Sequence, residues 1–200
     1  MPEHYFSKKP QSKHSPKRWN YQLRGKEYQF ITDAGVFSKD RVDYGSCLLI
    51  GQFDEPDAEG NILDLGCGYG PMGISLANEY PNRHVILADV NERAICLAQK
   101  NANINQVFNI EVIQSDRLSN LTNLSFAAIV TNPPIRAGKQ IVHKMFEEAY
   151  EALTYQGALW VVIQKKQGAP SAKKKIESLF GEVKTVAKSK GYYLFRAIKV

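Results

Sequence analysis

The chain has 200 residues, 44% of them apolar and 23% charged, which suits one globular domain with a full-sized core and leaves little room for two. No apolar run approaches the roughly 20 residues of a membrane-spanning helix, and the basic start MPEHYFSKKPQSKHSPKRW lacks the apolar stretch of a secretory signal, so a cytoplasmic protein with no membrane association is expected. Charge is uneven, with a net of +6 over residues 1–26, −8 over 27–164 and +8 over 165–200, and two basic ends around an acidic centre point to a polyanionic partner.

Residues 1–18, rich in Lys, Pro, Ser and His, are expected to form a flexible basic tail. NYQLRGKEYQFITD alternates apolar and polar residues about Arg24-Gly25, the pattern of a β-hairpin. A short helix with Val42, Cys47, Leu48, Leu49 and Phe53 on one face follows, so residues 19–60 form a hairpin-and-helix extension. From residue 61 to 200 the pattern becomes strand–helix alternation. Strands are expected at NILDL, HVILAD, IEVIQSD, AAIVT and GALWVVIQ, and helices after the first, second, fourth and fifth. The end, GEVKTVAKSKGYYLFRAIKV, reads as two strands joined by a tight turn at Ser189–Gly191. The predicted fold is therefore α/β: a doubly wound, mostly parallel Rossmann-like sheet closed by an antiparallel hairpin.

The first of these strands runs into LGCGYGPMG. Gly66, Gly68, Gly70 and Gly73 permit a tight turn and close approach of backbone to a ligand, and Pro71 suits the first turn of the next helix. Asp89, at the end of the second strand, is placed to accept hydrogen bonds from both hydroxyls of a ribose, and Asp116, after the third, from an adenine amino group. A nucleoside-containing cofactor is expected. Gly68 to Gly73 also satisfies G-x-G-x-x-G, but no second domain remains for hydride-transfer chemistry. The three cysteines are far apart and show no metal-ligand spacing, so no metal is expected and the thiols are read as reduced.

The fourth strand ends in NPPIRAGK, residues 132–139. Two prolines freeze the backbone where an open α/β sheet binds its ligand. The Asn132 side-chain carbonyl and the Pro133 backbone carbonyl can accept the N–H groups of an amine or amide and stabilise positive charge that develops on its nitrogen. Pro134, Ile135, Arg136 and Lys139 belong to the same acceptor side, with Phe37 a candidate face for a flat substrate.

In order, D-x-G-x-G-x-G, Asp89, Ser115-Asp116 and NPP resemble the class I S-adenosylmethionine-dependent methyltransferases over residues 61–200. By that resemblance, Asp64 and Gly66 serve the methionine end of S-adenosyl-L-methionine, Asp89 the ribose and Asp116 the adenine. NPPIRAGK together with GVFSKDRVDYGSCLL is similar to the ribosomal RNA guanine-N2 methyltransferases related to small-subunit methyltransferase C, over roughly residues 20–200 and in a short single-domain form. The resemblance implies methyl transfer to guanine N2, with ribosomal RNA or the small ribosomal subunit as partner. Adenine N6, a protein glutamine amide, or a non-catalytic RNA-binding role in ribosome assembly are the alternatives. Family members usually place an aromatic at the position of Ile135. Lys8, Lys9, Lys13, Lys17 and Arg18 at one end, and Lys165, Lys166, Lys173, Lys174 and Lys175 at the other, are candidate phosphate contacts. Trp19 either stacks on a base or anchors the hairpin; Trp160, Tyr192 and Tyr193 are read as core or sheet-face residues.

Overall fold

The computed structural model describes Lys8 and residues 12–200; Lys9 and the rest of 1–7 and 9–11 lie outside the described residues. The hairpin consists of β1 (Lys17–Leu23) and β2 (Lys26–Thr32), turning at Arg24-Gly25. Lys17 and Arg18 thus begin a strand rather than end a tail. Helix α1 (Tyr44–Gln52) follows, and then the alternating core: β3 (Asn61–Leu65), α2 (Pro71–Glu79), β4 (Val85–Asp89), α3 (Glu92–Ile104), β5 (Ile110–Gln114), β6 (Phe126–Thr131), α4 (Lys139–Ala152), β7 (Leu153–Gln164), α5 (Ala169–Phe180), β8 (Lys184–Ser189) and β9 (Tyr192–Ile198).

The seven core strands lie in the order β5-β4-β3-β6-β7-β9-β8. β3 pairs in parallel with both β4 and β6, and β9 runs antiparallel between β7 and β8. Alternation along each strand sends side chains to opposite faces. Ile62 of β3 joins a cluster beneath α1, α2 and α3, while Leu63 and Leu65 join a second with Val142, Phe146 and Ile176 of α4 and α5. β7 starts at Leu153, four residues before the expected strand. Leu153 pairs with Phe126, and the register then slips before Ala128 meets Ala158; within the irregular stretch Gln156 has φ +62° and its N–H bonds Lys199 C=O at 2.8 Å.

The hairpin is built into the core, with Leu23, Tyr28 and Phe30 in the same cluster as Ile62. Asn101 of α3 and Asn105, the residue that caps its C-terminus, are four apart and so lie on one face, and together act as a surrogate strand along the outer edge of β2. Asn101 accepts from Ile31 N–H at 2.7 Å and donates to Ile31 C=O at 3.0 Å; Asn105 does the same to Gln29 at 3.0 and 2.8 Å. An edge that would otherwise expose unpaired backbone is thereby closed. Trp19 packs edge-on against Tyr69, its ring nitrogen donating to Thr32 Oγ1 at 3.0 Å and Lys39 C=O at 3.2 Å, so it is an anchor of the hairpin.

Helix α1 is fixed at both ends. Asp43 caps its N-terminus, accepting from the Gly45 and Ser46 N–H groups, and Arg24 from the hairpin turn donates to the Ile50 and Phe53 carbonyls at 2.8 and 3.0 Å. The extension therefore delivers a rigid helix N-terminus to the carboxyl edge of the sheet.

Candidate active site

The carboxyl ends of β3 through β7 open into one cavity of about 1180 Å³, at the point where strand order reverses between β3 and β6. One side of it is the glycine turn. Gly66 and Cys67 donate to Ala88 C=O at 2.8 and 3.0 Å, tying the turn to β4. Gly66 and Gly68 have φ of +78° and +58°, and a Cβ at either would meet no atom within 4 Å: both face open space, as a backbone cradle for a ligand should. Gly73 differs. A Cβ there would lie 2.6 Å from Leu87 Cδ1, so Gly73 lets α2 approach β4. Gly70 is likewise turned to Ile74 and Leu87 and does not line the cavity.

Asp89 lines the cavity half-buried. Its Oδ2 accepts from Gly68 N–H at 2.9 Å and its Oδ1 from Asn91 N–H at 2.8 Å, which fixes the carboxylate. Burial raises its pKa above the usual carboxylate range, against the pull of those N–H groups. Asp64 is fully buried beneath the turn and is not itself in the cavity wall. Its Oδ2 accepts from Gly73 N–H at 2.7 Å, whereas Oδ1 has no partner among the described residues. Burial, with the Asp89 charge adding to it, pushes the carboxyl up to about 7. Asp116 lies exposed on the far wall, accepting from Arg117 Nη1 at 2.9 Å, and Arg117 in turn bonds Glu148.

The opposite side is the NPP turn. Pro133 is buried, and the Pro134 carbonyl is taken within the following turn by Ala137 N–H at 2.9 Å. Asn132 lines the cavity, and both hydrogens of its amide are engaged: Nδ2 donates to Asp43 Oδ2 at 2.9 Å and to Ser46 Oγ at 3.2 Å. With its donors spent on α1, the atom this side chain has left for a ligand is its carbonyl oxygen. Asp43 Oδ1 accepts from the Tyr192 hydroxyl at 3.1 Å, bringing the start of β9 into the wall. Tyr192 is thus a cavity residue rather than a sheet-face residue alone; its ring covers Gly45, where any Cβ would sit 2.7 Å from Tyr192 Cε1. Asp43 and Ser46 lie within GVFSKDRVDYGSCLL, the segment that carries the family resemblance, but nothing in that segment alone assigns either of them to the site.

Phe37, Ile135 and Arg136 stand at the cavity mouth, with Phe37 42% exposed. Lys139 is turned away and lines, with His143 and Ser171, a separate pocket of about 120 Å³ between α4 and α5. Burial lowers the pKa of His143 there. The distal lysines divide as well. Lys173 and Lys175 are paired with Glu177 and Glu147, whereas Lys165, Lys166 and Lys174 are exposed and form no ion pair among the described residues.

Strand order 5-4-3-6-7-9-8, with a glycine turn at the switch point and an antiparallel closing pair, is the class I methyltransferase fold. The family model of the methyltransferase small domain matches residues 27–196, and the chain belongs to that family. The uncharacterized protein YbxB of Bacillus subtilis is 54% identical, with 100% of each chain covered. The ribosomal RNA large subunit methyltransferase G of Klebsiella pneumoniae is 28% identical over 96% of this chain and 52% of its own. A 16S rRNA N2 methyltransferase of T. thermophilus, solved in complex with AdoMet and guanosine, superposes with a TM-score of 0.83 at 26% identity, over 96% of this chain and 52% of that one. The chain spans about half the length of these two rRNA enzymes.

Proposed function

We propose that this methyltransferase moves a methyl group from S-adenosyl-L-methionine to an exocyclic amine, guanine N2 of small-subunit ribosomal RNA. The observation that carries the reading is the Asn132 amide, whose donors are both held by α1, so that an acceptor faces the cavity. An amine N–H is the complement of that acceptor. The cofactor would supply an electrophilic methyl on a sulfonium.

The cradle for the cofactor is supported by the open space before Gly66 and Gly68 and by the fixed Asp89 carboxylate, which suits ribose hydroxyls. Asp64 would act from beneath the turn and Asp116 from the far wall, beside the adenine. On the acceptor side, the Asn132 and Pro133 carbonyls would hold the two N–H groups and steer the nitrogen lone pair to the methyl carbon. As the N–C bond forms and the methyl–sulfur bond breaks, positive charge grows on nitrogen, and these acceptors stabilise it without reorganising. Water takes the surplus proton afterwards, so no general base is needed. Phe37 and Ile135 would flank the base, Arg136 and the unpaired Lys165, Lys166 and Lys174 would meet phosphates, and the base would be turned out of its stack to enter. Lys139, outside the cavity, would contact phosphate at most.

Guanine rather than another amine is supported by the T. thermophilus 16S rRNA N2 methyltransferase, solved with AdoMet and guanosine bound. The test supplies labelled S-adenosylmethionine with naked rRNA and with both ribosomal subunits from cells lacking this protein, followed by nucleoside analysis. Label in N2-methylguanosine of 16S rRNA is expected. Label confined to 23S rRNA, to N6-methyladenosine or to glutamine overturns the guanine assignment on the small subunit.

A further inference from the structure

Resting on that reading of the site, we infer that Asp43 is the positioning residue of the transfer: it turns the Asn132 carbonyl to the substrate and strengthens it as an acceptor. An asparagine amide can sit in two orientations of nearly equal shape, and only one serves an amine. With the amide reversed, two N–H groups would meet the N–H groups of the substrate and repel them. A carboxylate only accepts. Asp43 Oδ2, 2.9 Å from Asn132 Nδ2, therefore excludes the reversed amide, where two acceptor oxygens would oppose each other. Ser46 Oγ takes the second hydrogen at 3.2 Å.

The same carboxylate is itself over-determined. Oδ2 also accepts from the Gly45 and Ser46 N–H groups at 2.8 and 3.3 Å, and Oδ1 from the Tyr192 hydroxyl at 3.1 Å. Gly45 is required for this, because a side chain there would strike the Tyr192 ring. The chain of bonds runs from Tyr192 through Asp43 and the Asn132 amide to the place of the substrate nitrogen. Pulling on the amide N–H shifts electron density to the amide oxygen, which raises its power to hold a nitrogen that is becoming positive. Asp43 touches no reacting atom; it acts through Asn132.

Asp43→Ser keeps a helix-capping oxygen but is too short to reach Asn132 or Tyr192, and Asp43→Asn keeps both cap and reach with a neutral acceptor. In the full-length protein, Asp43→Ser should lower kcat on the methylated RNA about 100-fold, the scale of a misplaced catalytic group. KM for RNA and cofactor Kd should stay near wild type. Asp43→Asn should recover part of the loss, and Tyr192→Phe should cost several-fold. In an Asn132→Ala background, Asp43→Ser should lower the rate no further, since its effect passes through the missing amide. In the unliganded protein, the Asn132 side-chain amide protons should exchange slowly and lose that protection in Asp43→Ser.

Wild-type kcat in Asp43→Ser, a fully additive double mutant, or an Asn132 amide indifferent to residue 43 each overturns the positioning role while leaving amine methylation standing. A wild-type protein that binds cofactor and labels no amine overturns the reading beneath it. The amide-exchange arm then still decides whether Asp43 orients Asn132.

Discussion

The wall of the cavity proposed to hold the cofactor is made of turns that each follow their own strand within a few residues: Gly66 to Tyr69 after β3, Asp89 at the end of β4, Ser115-Asp116 after β5. The acceptor-side wall is closed by bonds between residues 89 and 149 positions apart, Asn132 to Asp43 and Tyr192 to Asp43. The first wall is mostly backbone and glycine, shaped by φ values that glycine adopts at no cost. The second is a set of side chains that hold one another. On the proposed reading, binding can be left to local turns because a nucleoside would be met by N–H groups and a carboxylate at fixed places. Chemistry on an amine would need one carbonyl aimed within tenths of an ångström, and that would take partners from three elements.

The two walls should fail separately. The largest expected effect is that of Asn132→Ala, which should cut kcat about 100- to 1000-fold by removing one preorganised charge-stabilising group. Cofactor affinity by calorimetry should stay within about twofold; a parallel loss of binding would mean that the walls act as one unit. Asp89→Ala should do the reverse. Losing charge-assisted bonds to the ribose should weaken cofactor binding by ~1–3 kcal/mol, roughly 5- to 150-fold, while kcat at saturating cofactor is largely kept. Unchanged affinity would take Asp89 out of the cofactor wall.

The same division explains what could be read from the chain. A doubly wound, mostly parallel sheet follows from alternation and handedness, and the glycine turn, Asp89, Asp116 and NPP are contiguous signals at strand ends. The sequence pattern distinguishes less well within a motif. Gly66, Gly68, Gly70 and Gly73 look alike in LGCGYGPMG, yet two face the cavity and two face Ile74 and Leu87, because only the packing of α2 on β4 decides which side is crowded. Lys139 follows NPP closely, but the intervening turn of residues 135–137 rotates it to the α4–α5 pocket. The bond between Asp43 and Tyr192 is in no local pattern, although Asp43 lies in the GVFSKDRVDYGSCLL segment. One is a capping aspartate and the other a strand aromatic until a parallel sheet and an antiparallel hairpin bring their ends together.

The smallest expected effect per step is a slope. Asp64, beneath the cofactor wall, has its carboxyl raised to about 7 by burial, against about 3.9 in an unfolded chain. Between those values the folded protein holds a proton that the unfolded chain has released. The contribution of Asp64 to the stability of the unliganded protein should therefore be fully present below about pH 4, fall as pH rises towards 7, and level off above it, by at most about 1.4 kcal/mol per pH unit. Asp89, raised in the same direction, adds to the fall. Asp64→Asn keeps an acceptor for Gly73 N–H and cannot ionise, so in denaturant titrations at pH 4.5, 5.5, 6.5 and 7.5 the wild type should lose stability relative to the variant as pH rises. Equal slopes would mean that Asp64 is ionised in the fold across that range. An ionised carboxylate with Oδ1 unpartnered could not rest there unaided, and the cofactor wall would then depend on a distant charge as the acceptor wall depends on Asp43.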